Sequence, residues 1–389
     1  MREVVLRPGR DRSLRRRHPW VLSGSVASDP GPEAGGELVA VRAASGEVLG
    51  HGLFAPRSSL RVRLVAFGKE APAEHWLQRG IAAAAALRSG DPLLAGTDAV
   101  RLVNAEGDGL PGLVVDRYAD VAVFRSTSLG MALRRDSIVA ALASLPGVRT
   151  VFERADATAA RREGFEGSDG VRAGPPPDAS VAIDERGRRY GVDVRTGQKT
   201  GFYLDQRDGR DLVERLACGR SVLDLFAYTG GFAAAAARGG AAAVTLVESS
   251  APSLDAARAH VAANAAGVDA RFLEEDAFAF VRRCEESFDL IVVDPPPLAR
   301  RRSDVVRASR AYKDVLLHAL WRAAPGAWLL CYRCSHHVGD ELFRKVAFGA
   351  SLDAGRPVRV CGALGAPTDH PVSLDHPEGS YLGGLLLRA

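Results

Sequence analysis

Three apolar strands of this chain each run into an acid, and that pattern limits its fold more than any other feature. Ser221-Val222-Leu223-Asp224-Leu225-Phe226-Ala227-Tyr228-Thr229-Gly230-Gly231-Phe232 reads as a short strand, a glycine turn and the start of an alanine-rich helix. A second strand, Ala243-Val244-Thr245-Leu246-Val247, ends in Glu248, and a third, Phe288-Asp289-Leu290-Ile291-Val292-Val293, ends in Asp294-Pro295-Pro296. In an open parallel sheet the carboxyl ends of the strands form the ligand crevice, so Asp224, Glu248 and Asp294 are expected to line one slot.

At 389 residues the chain exceeds the size at which one core keeps growing, so two or three domains are expected. No stretch reaches the roughly 18 to 20 unbroken apolar residues of a membrane span, and the arginine-rich start lacks the apolar core of a secretory signal, so a cytoplasmic protein with no membrane partner is expected. Five cysteines, an odd number, argue against a disulfide framework. The net charge of +4 says little, but its distribution says more: Arg2, Arg7, Arg10, Arg12, Arg15, Arg16 and Arg17 face only Glu3 and Asp11 in the first seventeen residues. Clustered beside His18-Pro19-Trp20, these arginines read either as a solvated terminus or as a phosphate-binding surface, and the latter is the better account of a structured patch.

Short β segments at Val4 to Leu6, Glu37 to Val41, Val48 to Leu53 and Leu60 to Ala66 predict a small β-rich domain over 1–70. A middle α+β domain over 73–180 is predicted from helices at Glu74 to Arg88 and Met131 to Leu145 and strands at Val100 to Asn104, Leu113 to Tyr118, Val121 to Ser126 and Arg149 to Glu153. Residues 163–180 lack periodicity and read as a loop or hinge. A hairpin, Val181 to Asp184 with Arg189 to Arg195, then opens a third domain, 181–389, in which strands alternate with helices as in a doubly wound, mostly parallel sheet.

Several residues carry chemistry in that third domain. Glu248 is placed to take both ribose hydroxyls of an adenosine, and Asp276, after the strand Ala270 to Leu273, to accept from an adenine amino group. The ordered set of glycine loop, ribose acid, adenine acid and Asp-Pro-Pro resembles the way class I methyltransferases hold S-adenosylmethionine. The two prolines after Asp294 remove backbone donors and hold the aspartate rigid. Cys334, in Leu330-Cys331-Tyr332-Arg333-Cys334-Ser335-His336-His337, ends the strand that follows. A thiolate adding at position 6 of cytosine makes carbon 5 nucleophilic, which gives a cysteine there a purpose. Apolar packing, a zinc site with Cys331, His336 and His337, and a redox pair are the rival readings. Arg300, Arg301, Arg302, Arg307 and Arg310 put positive charge just past Asp-Pro-Pro, read as phosphate contact in preference to a solvated helix face.

Almost the whole chain resembles the bacterial family of 5-methylcytosine methyltransferases acting on large-subunit (23S) ribosomal RNA. The resemblance is carried by Ser13 to Val21, Gly107-Asp108-Gly109-Leu110-Pro111-Gly112, Lys199-Thr200-Gly201-Phe202-Tyr203-Leu204-Asp205-Gln206-Arg207, Tyr228-Thr229-Gly230-Gly231-Phe232, Asp294-Pro295-Pro296, Arg310-Ala311-Tyr312-Lys313-Asp314, Cys334-Ser335, Asp369-His370-Pro371-Val372 and Pro377-Glu378-Gly379. It implies an α/β protein with an N-terminal PUA-like RNA-binding domain, a middle α+β domain and a Rossmann-like catalytic domain. It implies Cys334 as nucleophile and Asp294 as the group that hydrogen-bonds the cytosine ring. Gln206, Arg207, Asp224, Tyr228 and Gly230 would surround the methionine end of S-adenosylmethionine, with Glu248 and Asp276 on its ribose and adenine. Arg15, Arg16, Arg17, Trp20, Arg300, Arg301, Arg310 and Lys313 are the implied RNA contacts, and 23S rRNA or a large-subunit assembly particle the implied partner, for a monomer or homodimer. Pro297 stands where the family often has a lysine, Arg333 before Cys334 is atypical, and the base that removes the ring proton is unassigned. The same fold methylating a guanine without an adduct, and an inactive rRNA-binding assembly factor, are the alternative functions.

Overall fold

Residues 1–389 are described by the structure, a computed structural model, and fall into two units. The first comprises Met1–Ile183, Val192–Leu204 and Thr368–Gly379; the second comprises Asp184–Gly191, Asp205–Pro367 and Ser380–Ala389. No helix is long and apolar enough to cross a membrane.

The first unit opens with β1 (Glu3–Leu6), α1 (Arg12–Arg15), β2 (Trp20–Leu22), β3 (Val26–Ser28), β4 (Leu38–Arg42), β5 (Val48–Phe54) and β6 (Leu60–Phe67). The strands form one six-stranded sheet ordered β2-β6-β5-β4-β1-β3, closed over Val4, Leu6, Val39, Val41, Phe54, Val62 and Leu64. Strands β2 and β3 escaped the sequence reading because three residues are too few for alternation to show. The chain continues through α2 (Trp76–Ser89), β7 (Ala99–Asn104), β8 (Leu113–Tyr118), β9 (Val121–Ser126), α3 (Leu129–Ala132), α4 (Arg135–Ala143), β10 (Thr150–Glu153), α5 (Ala157–Glu163) and β11 (Gly170–Ala173). Its five strands are ordered β11-β10-β9-β8-β7. The single helix expected over Met131 to Leu145 is two, because the backbone leaves helical geometry at Arg134 (φ −103°, ψ 19°). Residues 163–180 hold a strand: β11 pairs antiparallel with β10, and its partner rather than its own pattern makes it extended.

Segment Thr368–Gly379 leaves the C-terminal part of the chain to pack in the first unit. Asp369 Oδ2 accepts from the backbone N–H of Arg101 at 3.0 Å, and Pro371 O accepts from Asn104 Nδ2 at 2.9 Å. Glu378 Oε2 lies 3.2 Å from His18 Nε2. The two closing motifs of the sequence therefore act as an anchor within this unit.

The second unit takes the tip of a hairpin, β12 (Val181–Glu185) with β13 (Arg188–Val192), and then alternates. In order it runs α6 (Arg207–Leu216), β14 (Ser221–Leu225), α7 (Gly231–Arg238), β15 (Ala243–Glu248), α8 (Ala251–Asn264), β16 (Asp269–Glu274), α9 (Ala277–Arg283), β17 (Phe288–Val293), α10 (Val305–Arg322), β18 (Ala323–Cys334), α11 (Asp340–Asp353), β19 (Arg359–Gly365) and β20 (Leu382–Arg388). Its seven strands are ordered β16-β15-β14-β17-β18-β20-β19, with β14 to β18 parallel and β20 antiparallel to both neighbours. Chain direction across the sheet reverses between β14 and β17, the switch point at which open α/β sheets bind ligands. Ile291, Val293, Leu329 and Cys331 pack against Tyr312, Val315, Leu316 and Phe343 on one side. The alanine run Ala233–Ala236 of α7 is fully buried. Side chains that small let a helix lie close to its neighbours.

Candidate active site

The loop after β14 is held in a conformation that most side chains avoid. Phe226 (φ 63°) and Tyr228 (φ 48°) are left-handed without being glycine, at a cost of about 1 kcal/mol or more each. Glu248 offsets that cost: its Oε2 accepts from Tyr228 N at 2.9 Å, and its Oε1 from Ser250 N at 3.0 Å. Gly230 (φ 70°) admits no side chain, since a Cβ there would meet that of Ala257 at 2.8 Å. The turn thus presents backbone to the crevice and aims the carboxylate at the end of β15 at the same place.

Asp224 is not at a strand end, as the sequence reading had it, but one residue inside β14, paired with Leu246 and Val292 on its neighbours. It is consequently 1% exposed. Its Oδ2 accepts from Ala233 N at 3.1 Å, whereas Oδ1 has no partner. Burial, reinforced by the charges of Asp294 and Glu248 and opposed by the Ala233 N–H, pushes its carboxyl up to about 8.

Asp294 directly follows β17. Gln206 Nε2 donates to its Oδ2 at 2.8 Å, and Cys334 Sγ lies 3.9 Å from its Oδ1. The sheet explains this meeting: β17 and β18 are parallel with Val293 opposite Cys331, so both chains leave the sheet at one edge. Ser335 Oγ donates to Ala299 O at 2.7 Å, tying the loop after Cys334 to the loop after Asp-Pro-Pro. Arg333 is buried and bonds Ser335 O and the Asp340 carboxylate, so the residue that looked atypical braces the turn behind the cysteine. Cys331 faces the other way into the core, and burial pushes its thiol up and keeps it protonated. The hydroxyls of Tyr312 and Tyr332 are also pushed up by burial and, next, by the charges of Cys334 on Tyr312 and of Asp294 on Tyr332, so both remain donors.

The remaining candidates are more scattered. Asp276 is exposed and caps α9, with Oδ1 accepting from Ala279 N at 2.8 Å. Arg207 is fully buried on α6, its Nε 3.7 Å from Glu185 Oε2. Of the arginines of α1 and its end, Arg15 is paired with Asp11 and Glu47, Arg17 sits over the Phe67 ring and 3.9 Å from Asp375, and Arg16 is exposed. Trp20 is half-buried with Nε1 donating to Glu106 at 2.9 Å and its ring 4.5 Å from that of His376, so it is built into the first unit. Arg300, Arg301 and Arg310 are exposed, while Lys313 pairs with Asp353 at 2.7 Å.

Residues 169–351 match the family described as S-adenosylmethionine-dependent methyltransferase, and residues 4–67 match the PUA-like domain. The chain is 40% identical over 393 residues to the ribosomal RNA large subunit methyltransferase I of Alteromonas mediterranea, covering 99% of this chain and 98% of that protein. The enzyme of the same name from Aeromonas salmonicida is 39% identical over 394 residues, covering 99% of each. The chain belongs to the ribosomal RNA large subunit methyltransferase I family. Among solved structures, the methyltransferase SMU.776 complexed with SAH has the same fold over 100% of both chains at a TM-score of 0.86 and 23% identity. Trm5b from Pyrococcus abyssi matches 70% of this chain and 74% of its own at a TM-score of 0.53 and 16% identity.

S-adenosylmethionine is the methyl donor of this family, and the crevice of its member described here fits that molecule. Asp224 Oδ1, Gln206 Oε1 and Thr229 Oγ are buried without a protein partner around the β14 turn, an arrangement that costs stability unless a ligand supplies the missing bonds. When bound, the cofactor supplies an electrophilic methyl group. The sequence reading missed the Gln206–Asp294 bond, the Ser335 tie and the Arg333 brace. Each joins residues far apart in the chain, and only the motif positions of Gln206 and Ser335 hinted at importance.

Proposed function

We propose that this enzyme methylates carbon 5 of one cytosine in 23S rRNA through a covalent adduct with Cys334. The observation that carries this reading is the 3.9 Å approach of Cys334 Sγ to Asp294 Oδ1 at the edge where β17 and β18 end. A cysteine used only for packing has no need of a carboxylate, and Cys331, three residues earlier, is the packing cysteine of the same strand. The thiolate adds to carbon 6 while Asp294 hydrogen-bonds ring nitrogen 3, and carbon 5 becomes the nucleophile toward the donor methyl. Asp224, Gln206, Arg207, Tyr228 and Gly230 hold the methionine end of the cofactor, Glu248 its ribose and Asp276, through the oxygen not engaged in capping, its adenine. Access to both faces of the pyrimidine requires a flipped or single-stranded nucleotide.

The exposed Arg16, Arg300, Arg301 and Arg310 supply phosphate contacts, which carry most nucleic-acid affinity. The substrate is 23S rRNA, free or in an assembling cytoplasmic particle. Replacing Cys334 by Ala should lower 5-methylcytosine formation by at least about 10³-fold while S-adenosylmethionine binding survives in calorimetry. Undiminished product from that variant, or methylguanine as the product, overturns the reading.

A further inference from the structure

We propose that Gln206 is a positioning residue that locks the carboxyl of Asp294 so that it relays a proton from the Cys334 thiol to the pyrimidine; this rests on the covalent-adduct reading above. Gln206 is 2% exposed, and its Nε2–H is spent on Asp294 Oδ2 at 2.8 Å. The assignment of the amide follows from the partner: a carboxylate oxygen accepts, so the nitrogen must face it. An oxygen already receiving an N–H is the poorer place for a proton, because a second donor would point at the first. The proton is therefore directed to Oδ1, the oxygen 3.9 Å from the sulfur.

This division of labour gives the addition step a closed proton balance without an outside base. The S–H proton passes to Asp294 Oδ1 and the electron pair stays on sulfur. The sulfur then forms the bond to carbon 6, the ring electrons shift so that the 4,5 double bond forms, and ring nitrogen 3 takes the proton from Oδ1. Carboxylate and catalyst charge are restored, with the nucleophilic carbon 5 left exposed to the methyl. Asp294 is thus a base toward the thiol and an acid toward the ring. Toward the pyrimidine Gln206 acts only through Asp294, by its Nε2, while its Oε1 is left for the cofactor.

Among the groups facing Asp294 are the Gln206 amide, the Cys334 thiol, the protonated hydroxyls of Tyr312 and Tyr332, and the carboxyl of Asp224. An N–H aimed at a carboxylate favours its charged form, which is the form able to take the thiol proton.

The test uses the full-length enzyme with S-adenosylmethionine and large-subunit rRNA from cells lacking it. In Gln206→Met, kcat should fall on the order of tenfold to a hundredfold, and the acid limb of its pH profile should move up by about one unit. Cofactor affinity by calorimetry should fall as well, because Gln206 Oε1 is left for the cofactor, so the position of the limb and not the affinity reports the action on Asp294. A fall in kcat with an unmoved limb, or lost cofactor binding with an unmoved limb, overturns the proposal. Should Gln206→Met melt early, Gln206→Glu keeps the size, and a second carboxylate at this spacing should move the limb further in the same direction; a wild-type profile would sink the idea. Iodoacetamide labelling of the Cys334 peptide in the resting protein separates this proposal from the adduct reading. Gln206→Met should speed labelling near neutral pH, because an Asp294 carboxylate freed of the N–H is the stronger acceptor of the thiol proton, and the increase should vanish when Asp294→Asn is added; an unchanged rate in Gln206→Met, or an increase that persists with Asp294→Asn, refutes the relay whatever Cys334→Ala does to methylation.

Discussion

Glu185 and Asp224 are both sealed carboxyls of the second unit, 0% and 1% exposed, and their surroundings are opposite. Glu185 lies among Arg188, Arg207 and Arg210, with Arg210 Nη2 at 2.5 Å from Oε2, and Asp211 and Glu214 complete the cluster by pairing with Arg188. Burial pushes its carboxyl up, but the three guanidiniums outweigh burial and hold it below the ordinary range. Asp224 has one backbone N–H, no cation and two acidic neighbours, and is held far above that range. A buried acid surrounded by arginines is satisfied within the protein and serves the fold. A buried acid with an open oxygen at a switch point has been left for a ligand to complete.

The largest expected effect that could break this comparison is on stability. Glu185→Gln leaves three buried guanidiniums without their shared anion and should cost about 3–5 kcal/mol in chemical denaturation. A loss under about 1 kcal/mol would show that the cluster is not what holds α6 against the hairpin tip. Next comes Asp224→Asn, which should weaken S-adenosylmethionine binding by roughly tenfold to a hundredfold if the open oxygen receives the cofactor's ammonium group. The same substitution should raise the melting temperature of the ligand-free enzyme at pH 8, because it removes an unpaired buried charge.

A pH series sharpens that contrast. The folded-state value of Asp224 is raised, so its contribution to stability is present below the unfolded value near about 4 and is lost as pH rises through about 8. Glu185 is lowered, so its contribution is present above the unfolded value and is lost as pH falls. The stability difference between Asp224→Asn and the native chain should therefore grow from pH 5 to pH 8, and a flat difference would contradict the buried, unpaired state. The smallest effect is expected at the margin of the cluster, where Asp208 is half exposed beside Arg186. Asp208→Asn should change stability by less than about 0.5 kcal/mol in the same denaturation experiment.

The strands carrying Glu248 and Asp294 were readable because fully buried parallel strands are short apolar runs, and an acid interrupting one stands out. Asp224 was readable as important but not as buried, since a strand's last hydrogen-bonded residue is chosen by its neighbours' register. Three-residue strands, the break at Arg134 and the strand within 163–180 left no pattern to read. The arginine run at the start was visible as charge, yet charge in a sequence does not say which guanidiniums are already paired. Arg15 is bonded twice while Arg16 is exposed.

The alternation of strands and helices in the second unit, the glycine turn, and an acid or cysteine at or near the ends of β14, β15, β17 and β18 followed from the sequence alone, because hydrophobic periodicity and turn chemistry are local. Which oxygen of Asp294 faces the sulfur and which faces Gln206 was decided only when residues 88 and 40 positions away were brought beside it. That choice depends on distance and desolvation between side chains, and neither quantity exists until the sheet has closed.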